Sequence, residues 1–237
     1  MTLKDLHFRT RHTIRNSLLQ LCVFSLIFTS FLLGLLTIRQ LIIFPINGFL
    51  RVAVSILTAL ALLAVAAPPI VGAHMRLTAL GEGESSPLHN AFMLCCDLES
   101  ILWAQKICFI TLFCFLLSLL PTLLAVCFLF ISHTLADLLL VLSAVILTLR
   151  LICGFFPLFH IMTVAPRLGT IGAVKLSFSL MRTRSGELCR LLLRYAPALI
   201  ISPFLFGLPL IFVWCSAAIY CNEICEENEI YKYNLYY

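Results

Sequence analysis

The sequence predicts an all-α fold: a polytopic transmembrane helical bundle, five spans preferred and six the alternative, with two amphipathic helices at the cytoplasmic interface. Three observations carry this. Apolar residues make up 62% of the chain and charged ones 11%, against roughly 25% charged in a soluble domain, so there is too little polar surface to coat a water-soluble globule. The apolar residues gather in runs long enough to cross a hydrocarbon core of about 30 Å. The basic residues gather in the links between those runs, where they set orientation. The net charge of +5 is thus an orientation signal and not a nucleic-acid-binding stripe.

Residues 1–17 form a basic N-terminal segment through Lys4, Arg9, Arg11 and Arg15, and residues 18–221 form a single membrane domain. Its first span is 18–38. A signal peptide would have a shorter apolar region and a small-residue cleavage site; here Arg39 and Gln40 follow, so a retained helix is expected. The second span, 49–73, has Arg51 near one end and is expected to kink or fray at Pro68-Pro69 and Gly72. A polar insert follows, and Ser86-Pro87 reads as a helix start. Leu94, Leu98, Ile101 and Leu102 then make the apolar face of one interfacial helix, which Lys106 ends.

The third span is 107–131, with Pro121 inside it, tolerated where neighbours satisfy the freed carbonyl. The fourth, 135–165, is too long for one upright helix and too short for two, with Arg150 in its middle. The fifth, 196–221, carries Pro197, Pro203 and Pro209, and an acidic tail, 222–237, follows.

Between the last two spans lies the basic connector, 166–194, with Arg167, Lys175, Arg182, Arg184, Arg190 and Arg194 against Glu187. Ile171, Val174, Phe178 and Met181 recur at helical spacing and predict an apolar face, with Lys175, Ser177, Ser179 and Arg182 opposite. Thr170 is the expected N-cap. Thr183-Arg184-Ser185-Gly186 breaks the helix, and Ser185 starts another whose positive end Glu187 complements. Such a helix beside a membrane lies in the headgroup layer. It serves either as a packed cytoplasmic loop obeying the charge rule or as a contact for anionic lipid through Lys175, Arg182, Arg184 and Arg190.

Five spans put the N-terminus, Arg76, Lys106 and the connector on one side, and Arg39, Arg51 and Lys232 on the other. The basic side is cytoplasmic by the charge rule, which leaves the tail outside. A tight hairpin over 191–221 would add a sixth crossing and return the tail.

A faint repeat accompanies this plan. At one offset Pro69 meets Pro157, Leu80-Gly81 meets Leu168-Gly169, Glu99 meets Glu187, and Leu120-Pro121 meets Leu208-Pro209. Both copies run the same way, as in a parallel duplication.

The order of these features resembles a family of uncharacterised bacterial integral membrane proteins, a domain of unknown function related to the membrane domain of some glycerophosphodiester phosphodiesterases. The residues that carry the resemblance are Gly72, Leu77 to Gly81-Glu82, the Pro121 span, Ser177 to Met181, Gly186-Glu187-Leu188, and Gly207-Leu208-Pro209 running into Ala217 to Glu223. The resemblance implies a multi-pass protein of the bacterial plasma membrane with its N-terminus cytoplasmic, six crossings in many members, and no assigned activity.

No catalytic, nucleotide-binding or metalloprotease motif is visible, so no catalytic residue and no cofactor is expected. The eleven cysteines are scattered and mostly lie in spans, where a thiol acts as a small apolar side chain. Cys221 and Cys225 flank the outer face and stand one turn apart. The six histidines lack ligand spacing, so no metal is expected.

Arg150 is the one cation at bilayer depth, where an unpaired charge costs at least about 2.5–3.5 kcal/mol. Asp137 is about 20 Å away along a straight helix, too far to pair. Arg150 is therefore expected to be buried against protein, binding an anion or headgroup, or else to mark a break that lets it snorkel. Two functional classes follow: a non-catalytic component that organises anionic lipids or partner membrane proteins, and a small transporter or flippase-like carrier of an anionic or lipid substrate. The spans hold no deep acid for a proton relay, which favours the first.

Overall fold

A backbone in hydrocarbon must satisfy its own hydrogen bonds, and in one chain segment only a helix does so. The computed structural model describes residues 3–46, 48–81, 91–132, 135–201, 208–228 and 230, and among these every regular element is helical. In order they are α1 (Leu3–Ile43), α2 (Phe49–Gly81), a 3-10 turn (Met93–Cys95), α3 (Leu98–Ser132), α4 (Leu135–Phe155), α5 (Leu158–Val164), a second 3-10 turn (Pro166–Leu168), α6 (Gly169–Met181), α7 (Ser185–Ile201) and α8 (Leu208–Glu227).

Among the described residues, four stretches are long and apolar enough to cross a membrane: Leu19–Ile43, Phe49–Leu80, Leu98–Phe128 and Leu139–Val164. They coincide with the first four expected spans. Between 6% and 28% of each apolar window is buried inside the protein, so most of that surface needs hydrocarbon around it. The protein is a helical membrane protein. α1 bends at Ser17, whose φ of −115° and ψ of 16° are non-helical, at the junction between the basic segment and the first span.

Several expected boundaries fall elsewhere. α2 does not end at Pro68-Pro69 but runs on to Gly81. Proline at 68 deprives the Ala64 carbonyl of its helical donor, and the Gln105 side chain donates to that carbonyl at 3.1 Å. The missing bond is supplied from α3, so the helix continues. α3 likewise absorbs the expected interfacial helix. It starts at Leu98, where the Asp97 carboxylate accepts from the backbone N–H and the hydroxyl of Ser100, each at 3.1 Å, and it passes Lys106 without interruption. Ser86-Pro87 lies outside the described residues.

The fourth stretch breaks at Phe156-Pro157 and not at Arg150, because proline disfavours helical geometry in the residue before it. The connector breaks between Met181 and Ser185 as expected, with Glu187 in the first turn of α7. Thr170 caps nothing: α6 begins at Gly169, whose φ of +66° is open to glycine, and no side chain caps it.

The chain forms two compact units, residues 1–108 with 194–223, and residues 109–193 with 224–237. In the first, α1 packs along α2 over a core that includes Leu21, Phe24, Val71 and Leu77. Arg76 donates to Gln20 at 3.2 Å, Arg39 to Ser55 at 2.7 Å and the Trp214 indole to His74 Nδ1 at 3.1 Å. Gly72 lets the turn after α2 approach the helix: a Cβ there would lie 2.0 Å from the Ala91 carbonyl oxygen. In the second unit, α6 packs against α4 and α5, and Thr122 and Thr148 share a hydroxyl hydrogen bond of 2.7 Å.

The expected fifth span, 196–221, covers the end of α7 and most of α8, with 202–207 outside the described residues. In the second unit Arg184, just ahead of α7, pairs with Glu227 at the end of α8. In the first, the Ser216 hydroxyl donates to the Tyr195 hydroxyl at 2.8 Å. α7 leaves from Arg184 and α8 returns to it. The acidic end at Glu227 is thus in contact with the connector, an arrangement that suits the alternative of a sixth crossing. The contact is an ion pair between residues the sequence keeps 43 apart.

Filling the space at Gly72 should cost about 1–3 kcal/mol through overpacking against backbone that cannot rotate away. Gly72→Ala is expected to lower Tm in detergent, whereas Gly34→Ala, where a Cβ meets nothing within 4 Å, should leave it unchanged or slightly raised.

Candidate anion-binding site

The last turns of α4 present Arg150, Cys153 and Gly154 at spacings that share one helical face. Opposite them stand Phe178, Ser179 and Met181 of α6, followed by Arg182 and Ser185. Together these residues line a cavity of about 320 Å³. Two cations and two hydroxyls thus meet at one place, drawn from stretches that are distant in sequence.

Gly154 makes the meeting geometrically feasible. The Ser177 hydroxyl donates to the Gly154 carbonyl, and the Phe178 ring occupies the space a Cβ would take, at 2.4 Å. Phe178 also sets its edge against Phe155, with ring centroids 4.8 Å apart at 81°, a favoured aromatic geometry. The floor is apolar and buried, with Cys153 4% and Met181 2% exposed. The rim is polar: Arg150, Ser179 and Arg182 are exposed and Ser185 is half-buried.

Arg150 is therefore not buried against protein as expected but stands at the cavity mouth. The helix breaks later, at Pro157, so Arg150 remains on a regular turn that points it at α6. Neither the Arg150 nor the Arg182 guanidinium has a hydrogen bond or ion pair among the described residues, and no carboxylate lines the cavity. Two guanidinium groups facing one space repel each other, and an anion between them removes that repulsion. Their planar forks suit phosphate or carboxylate oxygens in a bidentate arrangement.

The other basic residues are not brought here. Lys175 and Arg190 are exposed on α6 and α7, away from the cavity. Arg184 is engaged by Glu227. The buried face of α6 also differs from the expected one. It consists of Ala173, Ser177, Leu180 and Met181, while Ile171 is 73% exposed. Ser177 turns inward because it finds a buried carbonyl at Gly154, and the small Ala173 permits close approach, so α6 is a packed helix more than a floating one.

Sequence reasoning missed three features. Arg76, expected as a loop charge, is 3% exposed within α2, and its second terminal nitrogen is buried without a partner among the described residues. The Cys153 and Cys189 sulfurs lie 3.8 Å apart, across a sequence gap that carries no pairing signal. Cys221 and Cys225, expected at the outer face, are buried and not joined in a disulfide. Among the described residues no group of three or more histidine, cysteine or acidic side chains is placed to hold a metal ion. A scan of family models, a search of curated proteins and a search of solved structures found no match to this chain.

The hydrogen bond from Arg184 holds the Glu227 carboxyl below its ordinary value of 4.5. A carboxylate with a lowered pKa in the folded chain contributes stability above the unfolded value and loses it as pH falls through the folded one. Both partners are partly exposed, so the contribution is about 1 kcal/mol or less. Lowering the pH below 4.5 should reduce the wild-type Tm more than that of Glu227→Gln, and at neutral pH the variant should be the less stable of the two.

Proposed function

We propose that this chain is a non-catalytic membrane component that holds an anionic lipid headgroup and through it organises lipid or partner membrane proteins. The observation that carries this reading is the shared cavity of Arg150 and Arg182, a cationic rim over an apolar floor. A lipid phosphate fits the rim by charge and planar hydrogen bonding. Lys175 and Arg190 add surface attraction for anionic membrane of about 1 kcal/mol each, weakened by salt.

The reading includes a bacterial plasma membrane with the connector and the N-terminus on the cytoplasmic side, supported by the clustering of basic residues in the connector. The kinship with the uncharacterised bacterial membrane family belongs to the same proposal. It is supported by the return of α8 toward the connector, which suits an even number of crossings. A second reading, a flippase-like carrier, draws on the Thr122–Thr148 hydroxyl pair, which places polar groups between α3 and α4 two residues before Arg150.

The test is thermal stability in mild detergent with added phosphatidylglycerol, phosphatidylcholine or inorganic phosphate. Phosphatidylglycerol should stabilise the wild type, and the other two should do so weakly. Arg150→Leu and Arg182→Leu should each weaken that binding roughly tenfold or more, as expected from about 1.5–3 kcal/mol per charge-assisted hydrogen bond. Arg150→Lys should bind at an intermediate level because the planar fork is lost while the charge stays. Equal stabilisation of all variants rejects the site. Lipid scrambling by the wild type in vesicles, abolished by Arg150→Leu, would favour the carrier.

A further inference from the structure

We propose that Cys153 and Cys189 form a reversible disulfide that controls access to the Arg150–Arg182 cavity, an inference that rests on reading that cavity as an anionic-lipid site. Both thiols are free, and their sulfurs lie 3.8 Å apart. A disulfide bond is about 2.05 Å long, so side-chain rotation with a small shift of α7 brings them together. The two thiols have different surroundings. Cys153 is 4% exposed and forms part of the cavity wall. Cys189 is exposed on α7, one turn beyond Ser185, which lines the same cavity.

That asymmetry assigns the roles in thiol–disulfide exchange with a low-molecular-weight disulfide, RSSR. The Cys189 thiolate, its proton released to solvent, attacks one sulfur of RSSR. A mixed disulfide forms at Cys189 and one RS⁻ leaves to take up a proton. The Cys153 thiolate then attacks the Cys189 sulfur, and the second RS⁻ leaves and is protonated. Two protein thiols lose two electrons in total, RSSR gains them, and two RSH are released.

The new bond ties the end of α4 to the first turns of α7. Ser185 shares a helical face with Cys189, so the bond draws Ser185 toward Arg150 and narrows the mouth of the cavity. Excess RSH reverses the exchange and reopens it. Disulfides that persist only under oxidising conditions suit a regulatory role in a reducing compartment.

The full-length chain in mild detergent is treated with oxidised glutathione, alkylated and digested, and phosphatidylglycerol binding is read in parallel by native mass spectrometry. A linked peptide pair containing Cys153 and Cys189, removed by dithiothreitol, is expected. Phosphatidylglycerol affinity should fall about fivefold or more on oxidation, within the ordinary range of coupling between two sites. Cys189→Ser should bind as the reduced wild type does and ignore the oxidant. Absence of the linked pair overturns the inference, and so does a linked pair with unchanged affinity. Failure of the reduced chain to bind phosphatidylglycerol would overturn the lipid reading instead, while the linked peptide still decides by mass whether the disulfide forms.

Discussion

The peptide N–H and C=O groups of a chain in hydrocarbon find no water, so each must be met from within the protein. The rest of this structure depends on that constraint. It makes the described elements helical, and it explains how α2 passes through Pro68. The carbonyl of Ala64, freed by Pro68, receives the amide of Gln105. A polar side chain on α3 thereby acts as a replacement backbone donor, and α2 stays continuous through the stretch where it packs on its neighbours.

Without a hydrophobic drive between helices in lipid, association rests on close packing and a few polar contacts. Both appear here at glycines. Gly72 brings the backbone after α2 into contact with the helix, and Gly154 lets Ser177 and Phe178 of α6 settle onto α4. The second contact has a functional consequence. By seating α6 on α4 it brings Arg182 level with Arg150, so the candidate anion site is a product of the packing. Neither arginine alone makes a site.

The first four spans were legible because long apolar runs are local signals. The break between α6 and α7 was legible for the same reason, since Thr183 to Gly186 favours turns. What escaped depends on partners distant in the chain. Pro68-Pro69 reads as a helix end until Gln105 is seen beside it, and Lys106 reads as a stop until α3 is seen to continue. Ser177 reads as a solvent-facing residue until Gly154 offers it a carbonyl. Arg150 was singled out by its depth and does line a cavity, but its burial was misjudged because its surroundings are set by α6. Arg76 looked like a loop charge because nothing nearby in sequence shows α2 extending past it.

Charge completes the arrangement. Cations deep in hydrocarbon are costly, so the connector's basic residues stay at one end of the helices, and Glu227 is drawn there by Arg184. The Arg184–Glu227 contact predicts that α8 returns to the membrane side from which α7 leaves. The most direct measurement places single cysteines at Thr183 and Asn228, both exposed. The variants are treated with a membrane-impermeant thiol reagent in sealed vesicles of one orientation, and the labelled peptides are read by mass. Labelling of both positions from the same side is expected; labelling from opposite sides would show that α8 ends across the membrane from the connector.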